Sequence, residues 1–120
     1  MPTKTTSLKD HLSRVHEIHI TVTGRKSGRA ITNPVWFVFE GDTLYLLPVQ
    51  GSATQWYKNV VNNLSIRIRA AMTEEEFKAV PMTGAATVKS IADKFRAKYG
   101  AEDVKKYYSR FDAAVSIRID

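Results

Sequence analysis

Short runs in which every second residue is apolar, each ended by a glycine, asparagine or proline break, constrain this chain more than any other feature. Ile18, Ile20 and Val22 alternate with His19, Thr21 and Thr23, the period of a half-buried strand. Gly24-Arg25-Lys26-Ser27-Gly28 then interrupts the pattern as a glycine-bounded turn. From Ala30 to Glu40 the spacing predicts a second strand, with Val35, Phe37 and Phe39 on one face. Trp36 and Val38, on its other face, are apolar too, so both faces need cover. After a Gly41-Asp42 turn, Thr43 to Pro48 repeats this character, with Leu44 and Leu46 opposed to Tyr45 and Leu47. Pro34 has no N–H for a ladder and belongs at an edge, a bulge or an opening.

The remaining elements follow the same logic. A short helix is expected from Leu8 to Val15, capped by Ser7, and another through Trp56, Tyr57, Val60 and Val61, capped by Thr54. Leu64, Ile66, Ile68 and Ala70 mark a one-sided strand, and Phe77 to Met82 a further one, with Glu74-Glu75-Glu76 as a solvated run before it. Thr83 is expected to cap the longest helix, whose stripe of Val88, Ile91, Ala92 and Phe95 has helical spacing; Gly100 closes it. A helix from Glu102 to Ser109 precedes a last strand with Val115, Ile117 and Ile119 inward. Closely spaced short strands joined by tight turns favour an antiparallel β-barrel, which hides its edges, with short helices over one side. With 120 residues and no linker or repeat, the expected organisation is one domain over 1–120.

Composition narrows the function classes. Without cysteine there is no disulfide, thiolate catalysis or cysteine-ligated metal, which fits a cytoplasmic protein. No apolar run reaches the roughly 18 residues of a membrane span, and the first ten residues lack the apolar core of a secretory signal. The net charge of +6 attracts anions: nucleic acid, acidic lipid or a phosphorylated small molecule. His11, His16 and His19 have no carboxylate set to complete a metal site, and there is no Gly-x-Ser-x-Gly elbow.

The segment from Gly24 to Arg29 carries the most chemistry. Its glycines let successive N–H groups converge on an anion, Ser27 adds a hydroxyl, and Arg25, Lys26 and Arg29 add charge. The same residues read equally well as a solvated basic hairpin that keeps an edge soluble. Trp56 and Tyr57 open a helix, where N–H groups favour anions and the rings could flank a planar ligand; a ring that plugs the barrel end is the competing account. Tyr107, Tyr108 and Phe111 form an aromatic cluster suited to a core, although a phenol beside a cofactor is a proton donor. Nucleic acid is disfavoured, because Trp36, Phe37, Phe39 and Tyr45 lie in strands covered on both faces rather than on an open stacking surface.

Thr21 to Gly28, then Asn33-Pro34-Val35, Gly41-Asp42 and Trp56-Tyr57-Lys58-Asn59, together resemble the deazaflavin (F-420)-dependent nitroreductase and quinone-reductase family. That family belongs to the flavin-binding split β-barrel superfamily, with the pyridoxamine-phosphate oxidases as distant relatives. The resemblance implies a mainly β, antiparallel split barrel. It implies an oxidoreductase that moves hydride from reduced coenzyme F-420, or alternatively from FMN, to a quinone-like, nitro or other unsaturated small molecule. A non-catalytic cofactor carrier is the other reading. By the same resemblance Arg25, Lys26, Ser27 and Gly28 hold phosphate, and Asn33, Pro34 and Val35 approach the ring. Val49, Gln50 and Gly51 line its other side, and Trp56 adjoins them. Tyr107 and Tyr108 are the candidate proton donors, and a homodimer is expected from the two-faced strands and the habit of relatives. Ile31 departs from the pattern, since relatives place an arginine soon after the turn.

Overall fold

The computed structural model describes residues 3–119, with the side chains of residues 3–7 outside the description. Seven antiparallel strands form one curled sheet: β1 (Ile18–Thr23), β2 (Ala30–Val35), β3 (Val38–Glu40), β4 (Thr43–Leu46), β5 (Ser65–Ala70), β6 (Thr73–Met82) and β7 (Ala114–Arg118). Their order is β2-β1-β5-β6-β7-β4-β3. The two outermost strands, β2 and β3, are successive segments of chain separated only by Trp36 and Phe37. One bent stretch therefore supplies both edges, and the sheet curls into a split half-barrel. Four helices accompany it: α1 (Thr3–Leu12), α2 (Gln55–Asn62), α3 (Ala85–Tyr99) and α4 (Ala101–Tyr107). None is long and apolar enough to cross a membrane.

The continuous strand expected over 30–40 is thus two strands, and the break has a physical cause. Phe37 turns its ring into the barrel, where it is fully buried, while its peptide groups leave the ladder. They find side-chain partners on α3 instead. Phe37 N–H donates to the Tyr99 hydroxyl at 3.1 Å, and Lys98 Nζ donates to Phe37 O at 2.7 Å. The Tyr99 hydroxyl also lies 2.7 Å from His16 O and 2.9 Å from Phe37 O, so its single hydrogen is shared between two carbonyls. Trp36 is left facing away from the barrel, stacked on Tyr99 with centroids 4.2 Å apart and planes 8° from parallel.

Two cores explain the two-faced strands. Ile18, Ile20, Val22, Phe37, Leu44, Leu46, Ile66, Ile68, Val115, Ile117 and Ile119 fill the barrel with Tyr57 and Val60 of α2. On the outer face, Val38, Leu47 and Ala114 pack beneath Val88, Ile91, Ala92 and Phe95 of α3 and Val104 of α4. The predicted α3 stripe is the buried one, and Gly100 ends that helix at φ +98°. The chain's own helices cover the second face, so that face gives no reason for a dimer.

Several expected details differ. β6 begins at Thr73, and Glu74, Glu75 and Glu76 lie within it, opposite Arg69, Ile68 and Arg67. Glu74 and Glu76 stay exposed there, so the run is solvated within the strand rather than before it. Thr54 and Gly84 occupy the N-cap positions of α2 and α3 without a side-chain cap bond, the Thr54 hydroxyl being taken by Gln50 N–H at 2.8 Å. α1 lies further upstream than expected; the side chain of Ser7, its expected cap, is outside the described residues.

The pin at Phe37 makes alkaline stability non-monotonic. Burial pushes the Lys98 ammonium down to about 8 and the Tyr99 phenol up to about 12. From about pH 8 to 10, unfolded Lys98 holds a proton that the folded form has lost, so stability rises with pH. Above about pH 10 unfolded Tyr99 ionises while folded Tyr99 does not, so stability falls. Urea midpoints measured across this range should peak near pH 10; Lys98→Met should remove the rising limb, and Tyr99→Phe should shallow the falling one.

Candidate functional site

The β1–β2 turn is built from its own backbone. Gly24 N–H donates to Arg29 O and Gly28 N–H to Gly24 O, both at 2.8 Å, while Arg29 N–H donates to Ser27 Oγ at 3.2 Å. Gly28 takes φ +73°, where a side chain would be strained. Arg25 is tied to α2: its backbone N–H (3.1 Å) and Nη1 (2.8 Å) both donate to Asn59 Oδ1. Its Nη2 donates to Gln55 Oε1 at 2.9 Å. Among the described residues this leaves the successive N–H groups of Lys26 and Ser27 without acceptors, and the Lys26 ammonium without a carboxylate. Two free amides beside a free ammonium are an anion-binding arrangement.

That turn forms one wall of a cavity of about 370 Å³, lined by Gly24, Arg25, Lys26, Ser27, Ile31, Asn33, Gln55, Trp56 and Asn59. Asn33 and Trp56 also line a second cavity of about 450 Å³, so the two adjoin at these side chains along one groove. The second part is mostly aromatic and apolar: Pro34, Val35, Trp36, Leu47, Val49, Tyr107 and Tyr108, with Thr54 and Glu17. Alternation along β2 explains how Ile31, Asn33 and Val35, two residues apart, all face the groove. Ile31, Val49 and Tyr107 expose large apolar surfaces on its walls.

The aromatic end is held from behind. Trp36 stacks on Tyr99 and meets Tyr107 edge-on at 5.6 Å, and Tyr108 packs against Phe95 and Phe111 at 6.0 and 6.4 Å. Burial, with a smaller contribution from Tyr99, holds the Tyr108 phenol far above its usual range, so it keeps its proton at any physiological pH. No hydrogen bond among the described residues takes up its hydroxyl. It is a neutral donor available to whatever occupies the cavity.

Of the residues singled out from sequence, Arg25, Lys26, Ser27, Asn33, Pro34, Val35, Val49, Trp56, Tyr107 and Tyr108 meet along this one groove. Gly28 lies instead in a depression with Thr21, Thr23, Ser65 and Arg67. Gln50 and Gly51 do not line the groove. Gln50 N–H donates to the Thr54 hydroxyl at 2.8 Å, and Gly51 (φ +55°) precedes Ser52, which bonds Asp112 through both its N–H (2.8 Å) and its hydroxyl (2.6 Å). Arg29 closes the turn through its backbone, and Tyr57 packs into the barrel core rather than against a ligand. Sequence reasoning missed Glu17, Trp36, Leu47, Gln55 and the buried Asn59 as groove residues. None of these carried a local signal of its role; Asn59 stood only as the last residue of Trp56-Tyr57-Lys58-Asn59. Among the described residues no three His, Asp or Glu side chains gather where they could hold a metal.

A curled antiparallel sheet split at Trp36–Phe37, with a groove at the split, defines a split β-barrel protein. Within that class the chain belongs to the family DUF2255, described as an uncharacterized protein conserved in bacteria, whose pattern matches residues 9–119. No curated protein is similar to it in sequence. Among solved structures, an F-420-H2 dependent reductase (FDR-A) superposes with TM-score 0.66 at 18% identity, covering 86% of this chain and 94% of its own. A candidate 5-nitroimidazole antibiotic resistance protein from Bacteroides thetaiotaomicron gives 0.71 at 13%, covering 96% and 79%. A candidate pyridoxamine 5′-phosphate oxidase from Listeria innocua gives 0.69 at 12%, covering 94% and 90%. At such identities the likeness is one of fold.

Proposed function

We propose that this chain is a cytoplasmic oxidoreductase whose groove holds a phosphate-bearing flavin-type cofactor, reduced coenzyme F-420, with FMN as the alternative. The observation that carries the reading is that the basic turn's cavity and the aromatic cavity adjoin at shared side chains. A turn with free amides and a free ammonium lies beside an aromatic cavity, the two sharing Asn33 and Trp56 as lining. A ligand with an anionic tail and a planar ring has this distribution of chemistry. The likeness to an F-420-H2 dependent reductase supports the choice of cofactor.

In this reading Lys26, Ser27 and the spare N–H groups of Arg25 take the phosphate. Trp56, Val35 and Val49 border the ring, and Trp36 with Tyr107 excludes water from it. When bound, such a cofactor supplies hydride to an unsaturated acceptor, so no protein nucleophile is required. Tyr108 would donate a hydrogen bond to the acceptor oxygen without ionising, and the proton that completes the reduction would come from solvent. A homodimer with the groove near the interface is part of the proposal, its motive being the apolar surface that Ile31, Val49 and Tyr107 leave open. Light scattering should then give twice the 13.5 kDa chain mass.

The test of function is anaerobic mixing of the protein with reduced F-420 and a naphthoquinone or nitroaromatic acceptor. Protein-dependent reoxidation of the cofactor is the expected result. Tight binding without turnover would make the protein a carrier, and absence of binding by either cofactor would overturn the reading.

A further inference from the structure

Asn59 is only 4% exposed, yet one oxygen of its amide receives two hydrogen bonds from Arg25, one from the backbone and one from the guanidinium. Gln55, one helical turn earlier on α2, receives a third. A carboxylate at either position would bind a guanidinium more strongly than an amide does, because charge-assisted hydrogen bonds are the strong ones. Both positions instead hold neutral amides. Two of the five guanidinium N–H donors are used for anchoring, three remain, and the positive charge is not cancelled.

We propose that Asn59 is the positioning residue of the anion site and preserves its charge: it fixes Arg25 and the turn without neutralising the guanidinium. This rests on the groove being a phosphate site and adds the residue that sets the site's charge. Anchoring the Arg25 N–H also directs the turn, so that the next two N–H groups, of Lys26 and Ser27, stay unpaired beside the ligand. Selectivity follows for a phosphate or pyrophosphate group over a neutral tail.

Asn59→Asp separates positioning from charge, because the side chain keeps its shape and both acceptor bonds. Inorganic pyrophosphate is the probe, followed by tryptophan fluorescence through Trp56 and by the amide resonances of Lys26 and Ser27. The expected result is a melting temperature no lower than that of the parent and pyrophosphate binding at least tenfold weaker, with a shallower salt dependence. Gln55→Glu, at an exposed position that cannot cost the fold, should weaken binding in the same direction. A solely structural Asn59 predicts parental affinity in both variants, and that result would overturn the proposal. If the parent binds pyrophosphate but neither flavin, the cofactor reading fails and the role of Asn59 stands. If the parent binds no pyrophosphate, both fall.

Discussion

Phe37→Ala should lower unfolding free energy by about 3–5 kcal/mol, the range for removing a buried aromatic ring from a core that collapses only partly. That is a large share of the about 5–15 kcal/mol that holds a domain of ordinary size. Phe37 is fully buried in the barrel core, and its ring also carries the Lys98 ammonium 3.7 Å from its centroid. Deletion therefore removes packing and a cation–π contact together. The backbone pins from Tyr99 and Lys98 are not side-chain contacts of Phe37, so the split between β2 and β3 should survive. Urea unfolding should show a lower midpoint with an unchanged slope, and near-ultraviolet circular dichroism should retain the Trp36–Tyr99 signal. A loss below about 1 kcal/mol would mean that the ring is not the keystone of this core.

Lys26→Ala should weaken cofactor binding by about tenfold or more while leaving stability within about 0.5 kcal/mol of the parent. Lys26 is exposed and meets no carboxylate among the described residues, so the fold does not depend on it. A charged hydrogen bond to phosphate is worth about 1.5–3 kcal/mol, which sets the size of the effect. Arg25→Ala should differ in kind. It removes the link to Asn59 and Gln55 as well as a cation, so affinity and stability should fall together. Calorimetric titration and thermal melts on the two variants separate these outcomes. Equal behaviour of the two would contradict the division of labour between them.

The fold was legible where a physical period was long enough to read. The alternation in 18–22, 64–70 and 115–119 gives β1, β5 and β7, and the Val88–Phe95 stripe gives the buried face of α3. The two-faced strands were legible, and so were the helices over one side; that α3 and α4 cover the outer face of β3 and β7 was not. Periodicity reports that a face is buried and not what buries it. The break at Trp36–Phe37 was hidden because Trp36, Phe37 and Val38 are all apolar, so alternation continues through a point where the ladder stops. Only the long-range bonds from Lys98 and Tyr99, some sixty residues away, distinguish it. Much of the candidate site was readable from the basic turn, while Asn59 was not. A buried amide that anchors an arginine has the same local sequence as one that ends a helix.

Titration of the protein's tryptophan fluorescence with oxidised F-420 and with FMN, in parental and Lys26→Ala forms, decides whether the groove is a cofactor site. Trp56 lines both halves of the groove and should report either ligand. Saturable quenching is expected, tighter for F-420 than for FMN, weakened by added salt and by loss of Lys26. Quenching by neither cofactor, or equal quenching with and without Lys26, would contradict it.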